Sequence, residues 1–108
     1  MTTRISQPEI TGSLTATGAG DTYKYRRVGK EFRKDLLIQT TGDLSGTFHI
    51  EVSAPDADTW TQCTDIDGTQ LSYTNNIILR MVPVGLADIR VNCTARSSGT
   101  LTYSIREG

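Results

Sequence analysis

His49 is the chain's single histidine, so any Ser-His-Asp or Cys-His arrangement for nucleophilic catalysis has to use it. It lies out of phase with Phe48, Ile50 and Val52, apolar residues that alternate along the same stretch. The pattern therefore predicts a half-exposed histidine on the polar face of a strand, and not a catalytic base. Glu51 shares that phase, but the sequence fixes no second carboxylate at the separation that glycosidase chemistry needs. We expect no enzyme.

Four aspartates form two Asp-x-Asp pairs, Asp56 with Asp58 and Asp65 with Asp67. Residues 65–68, Asp-Ile-Asp-Gly, resemble the start of a calcium loop, but Asn76 stands where the bidentate acidic ligand belongs. We interpret all four as turn aspartates, with adventitious calcium as the alternative.

Cys63 and Cys93 are the only cysteines, and both fall in predicted strands. A disulfide across the core is geometrically possible, as an immunoglobulin-like domain would require. Two reduced, buried thiols are the interpretation we favour. With one histidine the two thiols fall short of the four ligands of a structural zinc site, so we expect neither a metal nor a cofactor.

The densest positive charge lies between positions 24 and 34, beside Tyr23 and Tyr25. It consists of Lys24, Arg26, Arg27, Lys30, Arg33 and Lys34. Basic residues with aromatic neighbours suit docking to an acidic protein surface or to nucleic acid. The other interpretation is a solvated loop and edge strand, where lysine prevents unwanted strand pairing. We favour the solvated edge. If the segment does dock, we expect an acidic protein partner rather than nucleic acid, because the chain has a net charge of −1.

Trp60 has two interpretations. An exposed tryptophan on a β scaffold can stack on a sugar ring, whereas a buried one supplies a large share of a small core or interface. We favour the core or interface, and we keep glycan stacking as the alternative.

The elements that must position these residues are strands. Apolar residues recur at every second position in three stretches: Phe48, Ile50, Val52; Ile89, Val91, Cys93, Ala95; and Leu101, Tyr103, Ile105. Turns rich in Gly, Asp, Asn, Ser or Pro separate the stretches, and no helical period persists. We predict an all-β fold, a single antiparallel β-sandwich or jelly roll of about eight strands. Residues 36–40 are expected to form a central strand covered on both faces.

The chain of 108 residues is long enough for one two-layer core. Residues 1–9 are polar with no period and are expected to form a flexible N-terminal arm, followed by a β-sandwich domain over residues 10–108. No stretch approaches the ~18 consecutive apolar residues of a membrane span, and no signal peptide is evident at the start. We expect a protein made in the cytoplasm that contacts no membrane.

Four segments carry a resemblance to a known family: residues 46–53 (Gly-Thr-Phe-His-Ile-Glu-Val-Ser), 58–60 (Asp-Thr-Trp), 89–94 (Ile-Arg-Val-Asn-Cys-Thr) and 98–105 (Ser-Gly-Thr-Leu-Thr-Tyr-Ser-Ile). Together they resemble small virion proteins of tailed bacteriophages, in which a Gly-Thr-hydrophobic strand leads to a loop with Trp. An Arg-Val strand then precedes a Ser-Gly-Thr hairpin. The likeness covers roughly the C-terminal two thirds of the chain.

The resemblance implies a jelly-roll-like decoration or cement protein that clamps the major capsid protein on the capsid surface as a homotrimer, with no chemistry of its own. A tail- or fibre-associated module that binds a carbohydrate or receptor is the alternative that it leaves open. The candidate partner contacts are Ile5, Pro8, Ile10, Tyr23, Tyr25, Arg26, Arg27, Lys30, Arg33 and Lys34. Trp60 is the candidate for glycan stacking, and no small-molecule ligand is expected.

Overall fold

The computed structural model describes residues 9–26, 35–64, 67–81 and 86–107, and its regular structure consists of strands only. The strands are β1 (Glu9–Leu14), β2 (Gly18–Ala19), β3 (Tyr23–Tyr25), β4 (Leu36–Gly42), β5 (Ser45–Ser53), β6 (Thr61–Gln62), β7 (Ile78–Met81), β8 (Ala87–Ser98) and β9 (Leu101–Glu107). The predicted all-β class is therefore confirmed. Across these ranges there is also no helix with the length and apolar character that crossing a membrane requires.

The strands form two antiparallel sheets. The first, sheet A, has the order β1-β9-β4-β7, and the second, sheet B, has the order β2-β8-β5-β6, with β3 also paired to β8. The longest strand, β8, holds β5 on one side and β2 and β3 on the other. Consecutive strands often belong to different sheets, so the chain passes repeatedly between the two layers.

One cluster of buried side chains draws on both sheets, and the predicted alternation is confirmed where it was strongest. Phe48 and Ile50, then Ile89, Val91 and Cys93, then Leu101, Tyr103 and Ile105 are all buried. Their neighbours in sequence point to the opposite face, as the two-residue period of a strand requires. Ala95 departs from the pattern and is exposed, beyond a register shift between Thr47 and Phe48 in the facing strand.

Two details differ from the sequence prediction. In β4, Leu36 and Ile38 are buried, but Gln39 and Thr41 on the other face are exposed, so the strand is not covered on both faces. β1 begins at Glu9, which was assigned to the arm and which pairs with Arg106.

The ring of Tyr103 in β9 packs against the backbone of β1 and of the segment after β2. A Cβ atom added at Gly12 would lie 2.7 Å from its ring carbon Cζ, and one added at Gly20 would lie 2.6 Å from the same atom. Its hydroxyl accepts a hydrogen bond of 2.8 Å from the Asp21 backbone N–H. The ring thus lies between two glycines because a side chain at either position would occupy its space.

Candidate functional site

The outer face of sheet B carries a group of polar side chains that the sequence analysis did not bring together. His49 and Glu51 alternate with the core residues of β5, and Arg90 and Asn92 do the same in β8. In the register of the two strands His49 pairs with Asn92 and Glu51 with Arg90. Four polar side chains therefore occupy adjacent positions on one face. We call this set the Glu51 cluster.

Glu51 is the centre of the cluster and is only 8% exposed. Arg90 Nε donates to its Oε1 at 2.7 Å, and Asn92 Nδ2 donates to its Oε2 at 3.0 Å. His49 Nε2 lies 2.7 Å from the same Oε2. Because an ionised carboxylate can only accept, Nε2 of His49 carries a proton in this contact.

The hydrogen bonds keep Glu51 ionised. Burial raises the pKa of Glu51, but the hydrogen bonds from His49, Asn92 and Arg90, together with the positive charge of Arg90, outweigh burial and leave the pKa below its ordinary value. A carboxylate saturated in this way is a poor proton donor and a poor nucleophile. Its effect is to orient the groups around it.

Trp60, in the loop after β5, lies against Arg90 of the cluster. The Arg90 guanidinium carbon lies 4.0 Å from the centre of the Trp60 ring, within the range of a cation–π contact. The indole Nε1 donates to Asp58 Oδ1 at 2.8 Å. Trp60 is half-buried. One ring face is thus occupied by Arg90, which leaves less of the ring for a sugar to stack on.

A second charged group fastens the same loop to sheet B. Arg26 Nη2 lies 2.6 Å from Asp88 Oδ1, and both side chains are buried. Asp88 Oδ2 accepts from the Asp56 backbone N–H at 2.9 Å, and Lys24 Nζ lies 3.2 Å from Asp56 Oδ1. The buried Arg26–Asp88 pair and the hydrogen bond from Asp56 to Asp88 hold the 54–60 loop against sheet B, whereas the Lys24–Asp56 pair is exposed.

The structure changes the interpretation of several predicted contacts. Tyr23 and Tyr25 are 0% and 1% exposed and belong to the core, so the expected partner contact through their rings is corrected to a packing role. Ile10 is likewise a core residue of β1. Arg26 is buried against Asp88, as described above. The remaining candidates lie outside the described residues: Ile5, Pro8, Arg27, Lys30, Arg33 and Lys34.

Two of the four aspartates lie in turns, and the two cysteines are not bridged. Asp56 and Asp58 adopt positive φ angles of 57° and 53°, the left-handed region that aspartate tolerates in turns. Asp65 lies outside the described residues. Within those residues no three His, Cys, Asp or Glu side chains group closely enough to hold a metal ion. Cys63 and Cys93 are both free thiols.

The sequence indicates which residues of the Glu51 cluster share a strand face, but not that the two strands are neighbours. The two-residue period places His49 with Glu51, and Arg90 with Asn92, on polar strand faces. It does not say that β5 and β8 are neighbours or in which register they pair, and proximity depends on both. Trp60 is placed by a loop whose path no period describes.

Comparisons of the chain with protein-family models, with curated protein sequences and with solved structures found no match. The functional interpretation therefore depends on the strand order, on the Glu51 cluster and on the resemblance seen in the sequence.

Proposed function

We propose that the chain is a non-enzymatic structural protein of a bacteriophage virion. Its role would be that of a capsid decoration or cement protein, which binds the major capsid protein at the capsid surface and stabilises the shell as a homo-oligomer, with a trimer expected. Such a role needs a rigid scaffold with binding surfaces and no reacting groups.

The strand order is the observation that carries this proposal. If β2 and β3 are counted as one interrupted strand, the described strands number eight, and β1-β9-β4-β7 faces β2/β3-β8-β5-β6. We propose that this path is a jelly roll, the two-sheet arrangement of many viral capsid and lectin domains. A fold shared by two such classes supports a binding role and does not by itself choose the ligand.

The resemblance to phage virion proteins favours the capsid over a lectin-like role. The resembling segments include β5, β8 and β9. β9 is an inner strand of sheet A, and β5 and β8 are inner strands of sheet B. The modest hydrophobic content of 36% also suits a protein that gains stability by association.

Co-sedimentation with capsids of the phage that encodes the chain tests the proposal. The purified protein is expected to sediment with expanded capsids and to raise their resistance to heat, and light scattering is expected to give the mass of an oligomer. A strictly monomeric protein at high concentration that leaves the capsids unbound would contradict it.

A second candidate is a carbohydrate- or receptor-binding module of a tail or fibre. The observation in its favour is that Trp60 is half-exposed beside Arg90, which lies with Asn92 and His49 on one sheet face. Trp60 is the only tryptophan, so its fluorescence reports on this place alone. A shift in its emission with a neutral sugar from a glycan panel would favour this candidate over the capsid role.

A further inference from the structure

Arg90 keeps unused hydrogen-bond donors at the end of its side chain. An arginine has five N–H donors, and Arg90 uses its Nε to bind Glu51. Its Nη1 and Nη2 donate no hydrogen bond to any residue in the described ranges. The side chain is 23% exposed, and in the described part of the chain neither Nη atom is a buried nitrogen without a partner, so both terminal nitrogens reach solvent on the outer face of sheet B.

The orientation of that edge is fixed from two sides. Glu51 Oε1 holds Nε at 2.7 Å, and the guanidinium carbon lies 4.0 Å from the centre of the Trp60 ring. An arginine restrained in this way loses little side-chain entropy when it binds, and its planar edge matches a carboxylate through two parallel hydrogen bonds. Arginine and tryptophan are also the residues most enriched where binding energy concentrates at protein interfaces.

We infer that Arg90 is a docking residue, and that its terminal guanidinium edge binds the carboxylate of an Asp or Glu side chain on a partner protein. This inference rests on the proposed function, since it names the surface and the chemistry by which the capsid would be bound. Trp60 and Glu51 act as positioning residues for that edge.

Charge explains why an acidic protein side chain fits better than a sugar. The oxygens of Glu51 are occupied by its three donors and take only Nε from Arg90, so Nη1 and Nη2 can still donate charge-assisted hydrogen bonds to an anion. Trp60 offers little to a sugar ring, because Arg90 occupies one of its faces and its Nε1 is bound to Asp58. A partner carboxylate needs only the guanidinium edge.

Poly-L-glutamate is the probe for the test, with Trp60 emission as the local readout and polygalacturonate and neutral dextran for comparison. Wild-type protein is expected to respond to poly-L-glutamate. Arg90→Gln and Arg90→Lys are both expected to weaken this response by about tenfold or more, the factor expected when charge-assisted hydrogen bonds are lost. Arg90→Lys keeps the positive charge beside Glu51, so it decides the matter if Arg90→Gln does not fold.

Arg106→Gln is the matched control, because it removes the same charge from an exposed position on sheet A. It is expected to bind poly-L-glutamate like the wild type. Equal binding by wild type and Arg90→Lys would overturn the inference, and so would a response to polygalacturonate or dextran in the absence of one to poly-L-glutamate.

Capsid binding separates this inference from the proposed function. Capsid binding that Arg90→Lys weakens and Arg106→Gln preserves supports both. Capsid binding that Arg90→Lys leaves unchanged overturns the docking role of Arg90 and retains the proposed function. Failure of the wild type to bind capsids, with a poly-L-glutamate response that depends on Arg90, rejects the capsid role and retains a carboxylate site.

Discussion

Glu51 is a buried carboxylate whose cost of burial is offset by three donors on two strands. Arg90, Asn92 and His49 each approach one of its oxygens within 3.0 Å. Removing Glu51 would take away the shared acceptor of its three donors, which costs more than the group contributes when it is intact. The cluster therefore couples the stability of sheet B to the ionisation of a single residue.

Acid is expected to destabilise the protein through Glu51. The pKa of Glu51 is lower in the folded chain than its ordinary value of 4.5. Ionised Glu51 therefore adds its full contribution to the free energy of unfolding above pH 4.5, and this contribution is lost as the pH falls through the folded pKa. Glu51→Gln is expected to cost about 3 kcal/mol at pH 7 and to flatten this acid limb. Urea unfolding between pH 7 and pH 3 measures both.

Glu9→Gln is the control for this prediction, since it removes an exposed carboxylate from β1. It should leave the free energy of unfolding and its acid limb close to those of the wild type. An acid limb that is unchanged in Glu51→Gln would contradict the assignment.

The two thiols are expected to react at different rates. Burial raises the pKa of Cys63, and the negative charge of Glu51 raises it further, so little thiolate forms near neutral pH. Cys63 should therefore be alkylated more slowly than free cysteine, and Cys93, which is 1% exposed, only on unfolding. Glu51→Gln should speed up alkylation of Cys63. Mass spectrometry of samples taken during iodoacetamide labelling measures each rate, and an equal rate at both cysteines in the native protein would contradict the prediction.

At the scale of elements, the sequence predicts strand identity better than strand partners. The alternation in β5, β8 and β9 defines one buried face for each strand, and burial of Phe48, Val91 and Ile105 agrees with it. The Glu51 cluster was missed because it depends on the register between strands about 40 residues apart. The basic residues around Tyr23 and Tyr25 favour a surface position for both, and that prediction is wrong. Their two-residue spacing instead indicates a strand with both rings on one buried face, as the structure has it.

The contact of Tyr103 with Gly12 tests how tightly β1 is held. Gly12→Ala would place a methyl group against a ring that cannot retreat, because Gly20 lies against the same ring and the hydroxyl is bound to Asp21. We expect a loss of about 1–3 kcal/mol, as for overpacking in other cores. Ser13→Ala, at an exposed position of the same strand, should cost much less. Chemical denaturation compares the two, and a neutral Gly12→Ala would show that the ring moves aside.

At the scale of the whole molecule, binding capacity has to lie outside the core. Residues 1–8 and the basic residues between positions 27 and 34 remain candidate partner contacts, whereas Tyr23, Tyr25 and Arg26 serve packing. The outer face of sheet B adds Arg90 as a contact of the same sign. The chain as a whole has a net charge of −1, so its affinity for an acidic surface would come from these local positive charges and not from its net charge.

The basic residues should therefore affect capsid binding and its salt dependence, without affecting the fold. Changing Lys30, Arg33 and Lys34 together to Gln is expected to weaken capsid binding by at least about tenfold at low salt and much less at high salt, because counterions screen the attraction between opposite charges on two proteins. The melting temperature should change little. Tyr25→Ala provides the contrast, since loss of a core aromatic should cost about 3–5 kcal/mol of stability. Co-sedimentation across a salt series, together with thermal melts, measures both effects.

A triple variant that binds capsids as tightly as the wild type at low salt would show that this segment is a solvated loop, and would leave residues 1–8 and Arg90 as the surfaces for capsid contact.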